Sequence, residues 1–244
     1  MKKRQWHTLF AKTHKWIGLI LGVQLVFWTV GGLVMTWIPI DTVRGQHKVA
    51  PQTEFIFSNK QNFISISALL KKAGNSAKQI EFRNFLGNPV IYLELNNGQR
   101  QLRDAETGNL ISPIGADLAQ QVALADFALN AKIKGVVEIS EKSVDYRGPL
   151  PVWQVTFDDK ENSAIYVSTV EGKVVARRSS IWRFYDFFWM LHIMDYNERH
   201  DTNNWLVIIT SLFAVLFSIS GIGLLFFRFY RRDFNFLLGK KKRI

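Results

Sequence analysis

Five histidines are the side chains of this 244-residue chain best suited to binding a metal or moving a proton near neutral pH, and no cysteine shares that work. Two of them, His192 and His200, stand in "WMLHIMDYNERHDTNNW" (Trp189–Trp205), directly ahead of a long uncharged run. His7 and His14 precede another such run; seven residues apart on a helix, they share nearly one face at a separation of ~10 Å. His47 lies alone in polar "VRGQHKVAP" and is assigned no role. Asp195, Glu198 and Asp201 add carboxylate oxygens around His192 and His200, a donor set acceptable to ferrous or ferric iron bound transiently. Their spacing matches no specific metal motif. Each histidine also has a plainer reading: His14 and His7 solvated among headgroups, His192 a core imidazole satisfied by hydrogen bonding, His200 a surface group. Gly-x-Ser-x-Gly, His-Glu-x-x-His and Gly-x-Gly-x-x-Gly are all absent, so neither a hydrolase centre nor a nicotinamide site is expected. Without cysteine there are no disulfides, thiol chemistry or cysteine-held iron–sulfur centres.

The elements that must position these residues are two apolar runs, Trp16–Ile38 and Trp205–Phe227. Each is long enough to cross a hydrocarbon core of ~30 Å at ~1.5 Å per residue. The first exceeds the ~7–15 residues of a signal-peptide core and is followed by no small-x-small cleavage site, so it reads as a retained anchor. Trp28, Trp37, Trp205 and the Trp182–Trp189 cluster suit aromatic belts, with Trp28 deeper. Charge gives the orientation. Lys2, Lys3, Arg4, Lys12 and Lys15 precede the first run without an acid. Arg228, Arg231, Arg232, Lys240, Lys241, Lys242 and Arg243 follow the second against Asp233 alone. The region between balances, nineteen basic against nineteen acidic, so the two tails hold the whole net charge of +11. The positive-inside rule then places both termini in the cytoplasm and exports the loop between the runs. The basic residues flank spans and accompany no nucleic-acid-binding module, so the expected partner is anionic membrane lipid and not nucleic acid.

The exported region, about residues 41–180, contains an internal echo. "NPVIYLELNNGQRQLRDAETGNLIS" (Asn88–Ser112) alternates, turns at Asn-Asn-Gly, alternates again and closes on Ala-Glu-Thr-Gly; Leu150–Ala176 repeats the plan through "PVWQV" and "AIYVSTVEGKVV". Period-2 alternation between such turns predicts antiparallel hairpins. Ahead of each lies a helix candidate, "SISALLKKAG" (Ser65–Gly74) and "GADLAQQVALADFAL" (Gly115–Leu129). The predicted fold class is membrane α+β: two transmembrane helices flanking a domain of two helix-plus-β-hairpin units. The expected division is a basic tail at 1–15, a span at 16–38, the exported domain at 39–180, a membrane-proximal amphipathic segment at 181–204, a span at 205–228 and a basic tail at 229–244.

The plan of helix, "PVIYLEL", Asn-Gly turn and "DAETGNLI" resembles the PepSY domain, with Asp104–Gly108 matching its Asp-x-x-Thr-Gly-like turn. "HKWIGLILGVQLVFWTVGGLVM" (His14–Met35) and "FFWMLHIMDY" followed by "SGIGLLFFR" resemble helices of PepSY-associated transmembrane proteins. The likeness covers most of the chain through short, degenerate motifs in a characteristic order. It implies a bacterial inner-membrane protein with a periplasmic loop. Among the family's members are haem-containing reductases that release iron from ferric siderophores. Small two-span members resemble VciB-type ferric iron reductases, which promote ferrous iron uptake. Haem b is therefore the implied cofactor and ferric iron the implied substrate, with a ferrous iron transporter as a further partner. The electron donor stays open between quinol and a cytoplasmic reductant.

A b-type haem needs one or two imidazoles and an apolar slot. His192, beside aromatic residues, is the first-ranked ligand candidate, and His14, one turn before Gly18, is the second; His200 and His7 rank below them. His14 and His192 are expected near opposite membrane faces, too far apart to share one iron. A ligand pair formed across a homodimer is the expected solution, because two spans make a poor pocket and a two-fold dimer supplies four. A different class of function also fits: a non-enzymatic, doubly anchored PepSY module that binds or regulates an envelope protease or transporter.

Overall fold

The computed structural model describes residues 3–51, 62–74 and 76–228, and the expected basic tail at 229–244 lies outside the described residues. The chain divides into two compact units, one formed by Met1–Trp37 with Asp186–Ile244 and the other by Ile38–Tyr185.

The middle unit is built twice on one plan. Helix α3 (Ile66–Ala73) starts where the Ser65 hydroxyl accepts the Ala68 N–H and stops at Gly74, whose φ of 73° closes the last turn. Strands β1 (Ala77–Phe85), β2 (Asn88–Leu95) and β3 (Arg100–Asp104) follow as an antiparallel sheet in that order. Leu69 of α3 packs on Ile91, Leu93 and Leu95, while Val90, Tyr92 and Leu102 fill the opposite face of the sheet. β2 is therefore apolar at consecutive positions because both of its faces are covered. Helix α4 (Ala116–Asp126) then leads into β4 (Ile133–Ile139), β5 (Val152–Phe157), β6 (Ala164–Ser168) and β7 (Val174–Arg178), a four-stranded antiparallel sheet. Ala119, Ala123 and Phe127 meet Val155, Phe157, Ile165 and Val167 there. Each helix-plus-hairpin unit is thus real, with a strand ahead of each hairpin that the alternation did not predict. The Asp104 turn forms as expected: its Oδ1 accepts the N–H groups of Glu106 and Thr107 and the Thr107 hydroxyl, and Gly108 sits at φ 69°. A short helix α2 (Ile40–Val43) and a 3₁₀ turn (Gln46–Lys48) enter this unit, pinned where Lys48 Nζ meets Asp159, Glu161 and Ser163.

The other unit is helical. α1 runs unbroken from Lys3 to Trp37, well beyond the apolar run that predicted it, and α6 spans Trp205–Arg228. Both are long and apolar enough to cross a membrane. α5 (Ser180–Ile193) precedes a loop at residues 194–204. α1 and α6 pack antiparallel: His7 against Phe227, Phe10 under Gly223, His14 at Ser220 and Gly221, and Gly18 under Phe217. The contact is close because these positions are small. A Cβ added at Gly18 would stand 2.7 Å from Phe217 Cε2, and one at Gly223 would stand 2.8 Å from Phe10 Cε1. The antiparallel pairing brings the start of α1 and the end of α6 to the same end of the pair.

The helices are also staggered. α1 positions 7–18 lie beside α6 positions 217–227, the last turns of α6's apolar run. Farther along, α1 meets α5: Gln24 Nε2 donates to Leu191 O (3.1 Å), Trp28 Nε1 donates to His192 O (2.7 Å), and Gly31 lies under Phe188 and His192. Asn204 Nδ2 donates to Ile193 O (2.8 Å), while its Oδ1 caps α6 by accepting the Val207 N–H. The last three carbonyls of α5 are thus each held by a side chain, which lets the helix end beside apolar neighbours.

Candidate functional site

His14 is built into the α1–α6 contact. Its ring stacks on Phe217 at 4.0 Å between centroids and 12° between planes. On another side Gly221 clears it, since a Cβ there would come within 3.0 Å of His14 Cε1. Nδ1 lies 3.0 Å from Ser220 Oγ and 3.2 Å from Phe217 O. Ser220, 2% exposed, donates its own hydroxyl hydrogen to Phe217 O at 2.7 Å. Both neighbours of Nδ1 therefore act as acceptors, so the proton of neutral His14 belongs on Nδ1. That leaves the lone pair on Nε2, which has no hydrogen-bond partner among the described residues, the arrangement that a metal-ligating histidine takes when its other nitrogen is held by a hydrogen-bond acceptor.

His192 is different. Its ring tilts against Trp28 at 6.4 Å, and its Nδ1 is buried with no hydrogen-bond partner among the described residues. A proton on Nδ1 would be a buried donor without an acceptor, an arrangement that costs about 1–3 kcal/mol. The favoured neutral form carries its proton on Nε2. Iron ligation through Nε2 needs the opposite tautomer, so His192 fits that role less well than His14 does.

His14 and Gly31, the residue beneath His192, are seventeen positions apart on one helix, or ~25 Å. The two imidazoles of one chain do not converge on one iron, as the sequence led us to expect. His7 is exposed and meets Phe227 edge-on at 5.7 Å; His47 and His200 are exposed.

The carboxylates near His200 do not gather as a metal site. Among the described residues no group of three or more His, Cys, Asp or Glu side chains could hold a metal ion. The reason is visible at Asp195. Its Oδ1 accepts the N–H groups of Asn197 and Glu198, and its Oδ2 accepts those of His200 and Asp201. Burial pushes this carboxyl up, but the four backbone N–H groups outweigh it and hold the pKa below the usual carboxylate value. Asp195 is the organiser of the loop, and its lone pairs are spent on backbone. Glu198 is exposed, with its Oε2 3.4 Å from His200 Nδ1.

One feature of this region escaped the sequence reading. Asp186, 5% exposed, pairs with Arg199 at 2.8 Å, and Trp189 Nε1 donates to Arg199 O at 3.1 Å. This closes the loop of residues 194–204 back onto α5. The signal was an acid and a base thirteen residues apart across a break, which no periodicity marks.

A haem is the group the resemblance implies. The clamped, correctly protonated imidazole of His14, within an aromatic and glycine-bearing helix contact, has the donor chemistry to hold one. Comparison with curated proteins and with solved structures returned no match. The family model described as PepSY-associated TM region does match, over residues 11–244. With its two membrane-length helices and its α+β middle unit, the chain is a membrane protein and belongs to the PepSY-associated TM family.

Proposed function

We propose that this protein is a haem-b-dependent oxidoreductase of the bacterial inner membrane that passes electrons to periplasmic ferric iron, supporting ferrous iron uptake in the manner of VciB-type reductases. The observation that carries the reading is the His14 clamp: an imidazole fixed by Phe217 and Ser220 with its Nε2 lone pair free. Bound there, haem would supply one-electron chemistry that the side chains lack. The chain's own residues have three tasks. Phe217 and Gly221 fix the ring plane, Ser220 and Phe217 O hold the proton on Nδ1, and the surrounding apolar side chains of α1 and α6 exclude water.

Within one chain His192 stands ~25 Å along α1 from His14, so a second axial imidazole is best drawn from a partner copy. A homodimer with His14 of each chain facing a common axis meets that need. Basic residues at the end shared by the start of α1 and the end of α6 support a cytoplasmic location for that end. The middle unit is then periplasmic.

A second reading, an anchored module that binds an envelope protease or transporter, is favoured by one observation. A groove of about 580 Å³ in the middle unit is lined by Leu110, Pro113, Pro149, Leu150 and Pro151, with Arg100 and Glu171 among its polar residues. The absorption spectrum of protein purified in mild detergent from haem-replete cells, beside the five His→Ala variants, separates the two. A Soret band with reduced α/β bands, lost in His14→Ala and kept in His7→Ala, His47→Ala, His192→Ala and His200→Ala, is expected. Colourless wild-type protein would sink the reductase reading, and loss only in His192→Ala would move the ligand to α5.

A further inference from the structure

The stagger of α1 and α6 sets lysines beside an apolar helix. His14 packs at α6 positions 217, 220 and 221, six to ten residues before Phe227 ends the apolar run. At ~1.5 Å per residue that is ~9–15 Å inside the run's end, and Lys12 and Lys15 flank His14. At ~100° per residue, Arg4, Thr8, Lys12 and Lys15 fall within an arc of about 80°, its centre roughly 115° round the helix from the centre of the face that meets α6. The same arc continues up the helix as Leu19, Val23 and Val26, which are 70%, 67% and 58% exposed. In a bilayer those three positions face acyl chains, so the cations below them face lipid as well.

Among the described residues no acid neutralises them. Neither α1 nor α6 contains an Asp or Glu, and none of Arg4, Lys12 and Lys15 forms an ion pair among the described residues. Lys15 Nζ lies 5.8 Å from the centre of the Trp16 ring, a contact that leaves its charge uncompensated.

We propose that this stripe is a binding site for an anionic phospholipid: Lys12 and Lys15, with Arg4, hold the phosphate, and Leu19, Val23 and Val26 carry an acyl chain. The proposal is independent of any haem. The lysine stems reach back toward the membrane surface, and the headgroup is drawn inward to meet them, thinning the leaflet locally. Phosphatidylglycerol satisfies the charge, whereas a zwitterionic headgroup brings its own cation.

The test uses the full chain, purified, reconstituted into nanodiscs of equal phosphatidylglycerol and phosphatidylcholine, and released for native mass spectrometry. Retained phosphatidylglycerol should exceed phosphatidylcholine, and the excess should fall about fivefold per lysine removed in Lys12→Gln/Lys15→Gln. Lys12→Arg/Lys15→Arg should keep the excess. Lys134→Gln/Lys142→Gln, which removes two exposed charges from the middle unit, should leave it unchanged. Equal retention of both lipids by the wild type would overturn the proposal. So would an unchanged excess in Lys12→Gln/Lys15→Gln, or an equal loss in the Lys134/Lys142 control. Circular dichroism of each reconstituted variant confirms that the compared chains are folded.

Discussion

Replacing Gly221 with alanine tests the His14 clamp directly. The new Cβ would stand 3.0 Å from Cε1 and 3.4 Å from Nδ1 of an imidazole that Phe217 already backs at 4.0 Å. With no room to retreat, the ring must rotate, and Nδ1 leaves Ser220 and Phe217 O. Overpacking of this kind costs about 1–3 kcal/mol, and the lost hydrogen bond a further 0.5–1.5 kcal/mol or so. Alanine returns about 1 kcal/mol of helix propensity, leaving a net destabilisation of roughly 0.5–3.5 kcal/mol. Gly22 and Gly32 are the controls, because a Cβ at either meets nothing within 4 Å. Equilibrium unfolding in mixed detergent micelles should rank Gly221→Ala below both control variants, with a weakened haem band. Should Gly221→Ala unfold together with Gly22→Ala and keep the wild-type spectrum, the clamp as described here is wrong.

Two further outcomes are expected. Arg199→Ala removes one ion-pair partner of buried Asp186 and should destabilise the helical unit by about 1–3 kcal/mol, most of it restored in Asp186→Asn/Arg199→Ala; an unchanged detergent unfolding midpoint for the single variant would refute this. In the middle unit, burial raises the Asp159 carboxyl, but hydrogen bonds from Ser163 and Lys48 and the Lys48 charge outweigh it, leaving the pKa lowered. A depressed carboxylate stabilises the fold fully above its unfolded pKa of about 3.9 and loses that contribution as pH falls through the folded value. Stability of the middle unit should therefore decline below about pH 4, with a smaller slope in Asp159→Asn, read by circular dichroism along a urea series at each pH.

Much of the framework was legible from local pattern. Ser65 and Gly74 bracket α3 as a capping residue and a left-handed terminator should, and the short apolar run of "NPVIYLEL", bounded by turn residues, reads as a strand covered on both faces. β1 was missed because "AKQIEFRNF" is an edge strand: Lys78, Glu81 and Arg83 interrupt its apolar positions, and charge on an edge strand blunts further pairing. β4, also at an edge, carries Lys134, Gly135 and Glu138 for similar reasons. The site itself was only half legible. Which residues hold an imidazole was evident from type, but His14 meets Ser220 across more than two hundred positions of sequence. An all-apolar helix such as α6 has no periodicity to say which face meets α1. What distinguishes His14 from His192 is which of their ring nitrogens finds an acceptor, a property of packing that no spacing encodes.

The side chains that hold the end of α5 also bear on how the protein is made. Leu191, His192 and Ile193 need Gln24 and Trp28, synthesised long before them, and Asn204, synthesised after. Two of the three carbonyls can thus be met as soon as α5 is made, whereas the last waits for the head of α6, so the end of α5 is complete only after Asn204 has been synthesised.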